Sequence, residues 1–128
     1  MLRILLIEDD RPIRELLTRM LVAAGHHVTP ASNGDEGLAV WRDQGADVVL
    51  TDIQMPGISG IEVMRQLRAA APKLPIIAVS GGARSSDIDQ LGKAGLVGTV
   101  GLLQKPFTGA TLQAAITEAL RQAESSSA

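Results

Sequence analysis

The sequence predicts an α/β domain built on a doubly wound, parallel five-stranded sheet with helices on both faces. Three observations carry this. Short apolar runs alternate five times with segments of helical period through brief links, the pattern of consecutive βαβ units. The runs are nearly continuous, as expected of strands covered on both sides. Four of them lead into chemically active side chains: Glu8 and Asp9 after Ile4–Ile7, Asp52 after Val48–Thr51, Ser80 after Ile76–Val79, and Lys105 after Val100–Leu103.

Ile4–Ile7 is the first strand. Pro12 suits the first turn of a helix, with Asp10 or Arg11 ahead of it as cap. Ile13, Leu16, Leu17, Met20 and Leu21 then form one apolar stripe, and Gly25 ends the helix. A short strand follows near His27–Pro30. The second helix runs from about Asn33 to Gln44, with Leu38 and Trp41 on one face and Gly45 as its stop. Asp47–Asp52 is the third strand, and the Pro56-Gly57 turn follows it. Ser59 caps a third helix carrying Ile61, Met64 and Leu67. Pro75–Ser80 is the fourth strand. Ser85 or Ser86 opens a weak fourth helix that ends near Gly95, and Thr99–Leu103 is the fifth strand. Thr108 caps a last helix with Leu112, Ala115, Ile116, Ala119 and Leu120 on one stripe. Residues 1–122 are expected to form one domain and the Ser-rich end, 123–128, a flexible tail.

Composition narrows the function classes. The chain has 128 residues, the size of one domain. Its formal charge of −2 provides no basic field for gripping nucleic acid, and Trp41 and Phe107 are its only aromatic residues, too few for a base-stacking platform. Cysteine is absent, so neither disulfides nor thiolate chemistry is available. No apolar stretch approaches the ~18 residues of a membrane span, and the first residues do not read as a signal peptide. A cytoplasmic protein is the expectation, with no membrane and no direct nucleic-acid partner.

Parallel strands act as a geometric filter on the candidate site, because the carboxyl ends of all strands open on one crevice. Asp47 and Asp52 lie at opposite ends of one strand, roughly 16 Å apart. Asp47, His26 and His27 therefore belong to the far edge. Glu8, Asp9 and Asp52 remain together at the crevice. Clustered carboxylates repel one another and gain affinity for a proton or a cation. An all-oxygen donor set suits a hard ion, and Mg²⁺ takes one or two carboxylates with waters and a phosphate oxygen. Asp10 is read instead as the cap of the first helix. Ser80 and Lys105 add a hydroxyl and an ammonium to the same mouth.

These residues carry a resemblance. Ile-Glu8-Asp9-Asp10, Asp52-Ile-Gln-Met-Pro56-Gly57-Ile-Ser-Gly60, Ser80 after an apolar strand, and Lys105-Pro106-Phe107 stand in order at fitting intervals. Over nearly its full length the chain resembles the receiver domain of bacterial two-component response regulators, in a stand-alone form. The resemblance implies a flavodoxin-like (βα)5 sheet of strand order 2-1-3-4-5. It implies that Asp52 takes a phosphoryl group from a phosphohistidine on a sensor histidine kinase or phosphotransfer protein. It implies Mg²⁺ held by Asp9, Asp52 and the backbone carbonyl of Gln54, with Glu8 acting through water. Lys105, Ser80 and the N–H of Gly81 would contact the phosphoryl oxygens, and the bond before Pro106 would be cis. Ile13, Arg14, Pro106 and Phe107 would face the kinase, with Leu17 beside them or in the core. The signal would leave through the fourth helix, fifth strand and fifth helix to a downstream protein, and a phosphorylation-dependent homodimer is compatible with that. Such a chain is a signalling phosphoacceptor, catalysing only its own phosphorylation and dephosphorylation.

Two departures from the family pattern stand out. The family commonly has Tyr or Phe three residues before the lysine, where this chain has Leu102. The stretch from Gly81 to Gly101 carries extra length and six glycines (Gly81, Gly82, Gly92, Gly95, Gly98, Gly101), which predicts a mobile output face. Three other readings fit less well. An aspartyl-phosphate phosphatase would want an acid two residues after its nucleophile at the first strand. A flavin-type cofactor binder would want a phosphate loop where three acids stand. A receiver-like module that is never phosphorylated would not need the intact acid–lysine set.

Overall fold

The computed structural model describes residues 1–81, 85–96 and 100–125. In chain order the elements are β1 (Arg3–Ile7), α1 (Arg11–Ala23), β2 (His27–Ala31), α2 (Gly34–Gln44), β3 (Val48–Asp52), α3 (Gly60–Ala70), β4 (Ile76–Ser80), α4 (Ser85–Lys93), β5 (Gly101–Gln104) and α5 (Gly109–Ser125). The five strands form one parallel sheet in the order β2-β1-β3-β4-β5, the order that the resemblance implies.

Strand residues alternate between two buried layers, which is why their sequences read as continuous apolar runs. Leu5, Ile7, Val49, Ile76 and Ala78 pack with Leu38 of α2, Val63, Met64 and Leu67 of α3, and Leu91 of α4. Ile4, Leu6, Val48, Leu50, Ile77 and Val79 pack with Leu17 and Leu21 of α1 and Leu112, Ile116 and Ala119 of α5. Helices therefore cover both faces. Leu17 belongs to this core and not to the crevice rim. Leu16 departs from the predicted stripe: it is 51% exposed, because the sheet accepts Leu17 and Leu21 while Ile13 and Met20 take the flanks.

Caps set the helix starts. The Asp10 side chain accepts from the Ile13 N–H at 3.1 Å, Asn33 from Glu36 at 2.8 Å, and Ser59 from Glu62 at 3.2 Å. At α5, the Thr108 hydroxyl accepts from the Thr111 N–H at 3.1 Å. β2 runs one residue past its predicted end, through Pro30 to Ala31. An edge strand tolerates Pro30 because one side of it needs no ladder donor. β5 begins at Gly101 rather than near Thr99, which lies outside the described residues together with Gly82 and Gly98. α5 continues through Ser125, past the expected domain end at 122, because Gln122 and Ala123 prolong its turns without a breaker; the rest of the expected tail, 126–128, lies outside the described residues. One clamp escaped the sequence reading. Arg68 Nη1 donates to the carbonyls of Ala71, Pro72 and Leu74 at 3.3, 3.0 and 2.7 Å and ties the α3–β4 link.

Candidate functional site

Strand register assembles the site. Ile7 pairs with Thr51, so Glu8, the next residue, stands level with Asp52 at the mouth of the two central strands. Asp52 in turn pairs with Val79, and Ser80 pairs with Gln104, which puts Ser80 and Lys105 at the same edge. The Lys105 N–H donates to the Ser80 carbonyl at 2.8 Å and carries this alignment past the end of β5.

The first helix leaves β1 immediately after the acids. Asp10 is committed to the cap, as predicted, so Asp9 is left facing the crevice with Glu8 and Asp52. One carboxylate oxygen from each of these three lies within 4.8 Å of the others. Glu8 and Asp52 are buried and Asp9 is exposed, which gives the cluster a solvent entrance. On the other side, Gly60 lets the start of α3 press against β3. A Cβ there would lie 1.8 Å from the Asp52 carbonyl oxygen, and the Gly60 N–H donates to the Ile53 carbonyl at 3.0 Å. This close approach fixes the backbone that carries Asp52. The Pro-Gly-x-x-Gly spacing was its only trace in the sequence.

Lys105 closes the cluster. Its Nζ donates to Glu8 Oε1 at 3.0 Å and to Asp52 Oδ2 at 3.4 Å, across a separation of 97 residues in the first case. The peptide bond from Lys105 to Pro106 is cis. Burial pulls the lysine pKa down, but the hydrogen bond to Glu8 and the two carboxylate charges outweigh it and hold the ammonium above its ordinary value. Glu8 is pushed up to about 8, first by burial and then by the neighbouring Asp52 carboxylate, against the pull of Lys105. Its Oε2 is buried with no hydrogen-bond partner among the described residues. A buried carboxylate oxygen without a donor, beside two further carboxylates, fits a hard divalent cation better than any neutral ligand.

The remaining expected residues fall at the rim. The Gln54 N–H donates to Asp52 Oδ1 at 3.3 Å. Ser80 is buried at the end of β4, and Gly81 follows it in the open. Ile13 and Phe107 are half-buried against the α1–α5 layer, and Pro106 is exposed. Arg14 turns its guanidinium back toward the β1–α1 link, where Nη1 donates to the Glu8 carbonyl at 2.8 Å and to the Asp9 carbonyl at 3.4 Å. Nothing in the sequence pattern indicated that orientation. His26 is at the far edge, as expected, its Nδ1 accepting from the Leu2 N–H at 3.2 Å. Leu102 is 38% exposed and lines a shallow groove with Gln104, Thr111, Ala114 and Glu118 between β5 and α5.

A crevice of acids, a hydroxyl and a lysine at the carboxyl edge of a 2-1-3-4-5 sheet defines a class that the comparisons name. The response regulator receiver domain model matches residues 4–117, and the chain belongs to that family. It is similar to the transcriptional regulatory protein AfsQ1 of Streptomyces coelicolor, with 41% identity over 94% of this chain and 52% of that protein. It is also similar to the response regulator MprA of a Mycobacterium species, with 39% identity over 94% of this chain and 51% of that protein. The chain thus spans about half the length of these curated relatives. Among solved structures, a receiver domain protein from Clostridium thermocellum superposes with a TM-score of 0.83 at 30% identity, covering 97% of this chain and 98% of that one. The chemotaxis protein CheY4 of Vibrio cholerae gives 0.84 at 27% identity, covering 94% and 99%.

Membership makes the chain a signalling phosphoacceptor of two-component systems. Receiver domains of this family are phosphorylated on an aspartate. Receiver domains bind Mg²⁺ in an acidic pocket, and the cluster of Glu8, Asp9 and Asp52 has that character. Among the described residues, no helix is long and apolar enough to cross a membrane.

Proposed function

We propose that Asp52 is the phosphoacceptor and that it takes its phosphoryl group from a phosphohistidine of a sensor kinase or phosphotransfer protein. The observation that carries this is the placement of Asp52. It is a buried carboxylate at the end of a central strand, 3.4 Å from the Lys105 ammonium and clustered with Glu8 and Asp9. A carboxylate oxygen of Asp52 attacks phosphorus. The new O–P bond forms as the P–N bond to the partner's imidazole breaks, and the departing nitrogen keeps the electron pair and takes up a proton. Hydrolysis of the acyl phosphate by water returns Asp52.

Glu8, Asp9, Asp52 and the Gln54 carbonyl would hold Mg²⁺, which when bound offsets the negative charge of the phosphoryl oxygens. Lys105 supplies a second positive charge beside Asp52. Ser80 donates its hydroxyl, and Gly81 its N–H, to the phosphoryl group. The rim formed by Ile13, Pro106 and Phe107 meets the donor protein. The surface of α4, β5 and α5, with the groove beside Leu102, passes the signal to a downstream protein.

Intact-mass measurement after acetyl phosphate treatment tests the reading. One phosphoryl adduct is expected with Mg²⁺ and little with excess chelator. An adduct that persists in Asp52→Asn, or that forms equally in chelator, would reject it.

A further inference from the structure

We infer that Arg14 is a positioning residue for the cation site, acting through the backbone of the two residues that carry its first acids; the inference rests on the reading of Glu8, Asp9 and Asp52 as that site. Glu8 and Asp9 are consecutive, and the β1–α1 link must aim both side chains at Asp52. Two side-chain restraints act on the link from outside the cluster, beside the bond from the Glu8 N–H to the Ala31 carbonyl at 3.0 Å. The Asp10 cap anchors its far end to the Ile13 N–H. Arg14, in the same first turns of α1, reaches back to the Glu8 carbonyl at 2.8 Å and the Asp9 carbonyl at 3.4 Å with a single guanidinium nitrogen. The helix holds the base of that arm, since the Thr18 hydroxyl donates to the Arg14 carbonyl at 2.7 Å.

The physical argument concerns what the link would do without the arm. Three carboxylates within 4.8 Å repel one another, and Asp9, the exposed member, is the one free to swing outward. A charge-assisted bond to the carbonyls of Glu8 and Asp9 opposes that swing without occupying any carboxylate oxygen. The guanidinium bonds to carbonyls and so leaves the carboxylate oxygens open for the ligand position. Partners that orient metal ligands from outside the ligand set commonly change metal affinity by ~10–100-fold when removed. A side chain displayed to a protein partner would have no reason to satisfy these two carbonyls.

The role predicts a split between affinity and rate. In calorimetric Mg²⁺ titration, Arg14→Ala should bind about tenfold more weakly than wild type, and Arg14→Lys, which keeps the charge but not the planar fork, should fall between them. Acetyl phosphate labelling should need more Mg²⁺ to reach half its maximal rate, while the rate at saturating Mg²⁺ stays near that of wild type. Amide exchange at Asp9 and Asp10 should quicken in Arg14→Ala without added metal. If Arg14→Ala does not fold, Arg14→Lys alone decides the matter by the same titration. Wild-type Mg²⁺ affinity in the folded variants, with loss only of transfer from a phosphorylated kinase, would overturn the positioning role and leave the proposed function standing. Absence of Mg²⁺ binding by the wild-type protein would overturn both.

Discussion

Asp47 and Asp52 bracket one strand and live in opposite surroundings. Asp47 is half-buried just ahead of β3, its carboxylate accepting from the Arg3 N–H at 2.8 Å and facing the Arg3 guanidinium at 3.7 Å. Asp52, at the other end, is buried with two more carboxylates and one ammonium. A backbone donor, an exposed arginine and water satisfy the first. The second is held against like charges by the protein around it. The residue type is the same, so position along a parallel strand decides which aspartate is a surface tether and which sits in the crevice.

The largest expected effect breaks or keeps that contrast outright. Asp52→Asn should lose the phosphoryl adduct completely, whereas Asp47→Asn should label to the wild-type extent in the same mass measurement. Comparable loss in both variants would mean that the two ends of β3 do not differ as their surroundings indicate.

Next in size is the pH response of Glu8. Its folded pKa near 8 lies above the ordinary value of 4.5, so between those limits the metal-free folded protein holds a proton that the unfolded chain has released. Stability without metal should therefore fall as pH rises from about 4.5 to about 8. Lys105, raised from an already high value, stays charged across this window and adds no slope. Urea unfolding in chelator at pH 5.5 and 8 measures the change. Glu8→Gln should flatten it, and added Mg²⁺ should restore the wild-type protein at the alkaline end.

Two glycines sharpen the same comparison. Gly60→Ala forces a methyl onto the Asp52 carbonyl oxygen and should cost about 3 kcal/mol. Gly45, at the far edge, has φ +68° with no atom within 4 Å of an added Cβ, so Gly45→Ala carries only backbone strain, about 2 kcal/mol. Equal losses in denaturant unfolding would remove close packing at the crevice as the cause.

The smallest effect belongs to the surface pair. Asp47→Asn should change stability by less than about 1 kcal/mol, less still in high salt, because both partners are largely solvated. A thermal unfolding series across ionic strength checks this.

The sequence by itself determined the alternation of strands and helices, the caps at Asp10, Ser59 and Thr108, and the set of side chains delivered to the crevice. These follow from local rules: apolar runs long enough to be buried, a carboxylate or hydroxyl able to accept from a helix's first amides, and a common carboxyl edge for parallel strands. Leu16 and the end of α5 escaped those rules. A five-residue apolar stripe does not reveal which flank the sheet leaves uncovered, and Ser residues late in a helix end it only where nothing supports the last turn. Only the tertiary structure decided that Glu8 stands level with Asp52 and binds Lys105 directly, that Gly60 seats α3 against the Asp52 backbone, and that Arg14 turns inward to two carbonyls. Each depends on register or on the packing of elements distant in the chain, and neither periodicity nor spacing along one segment encodes the distance between two others.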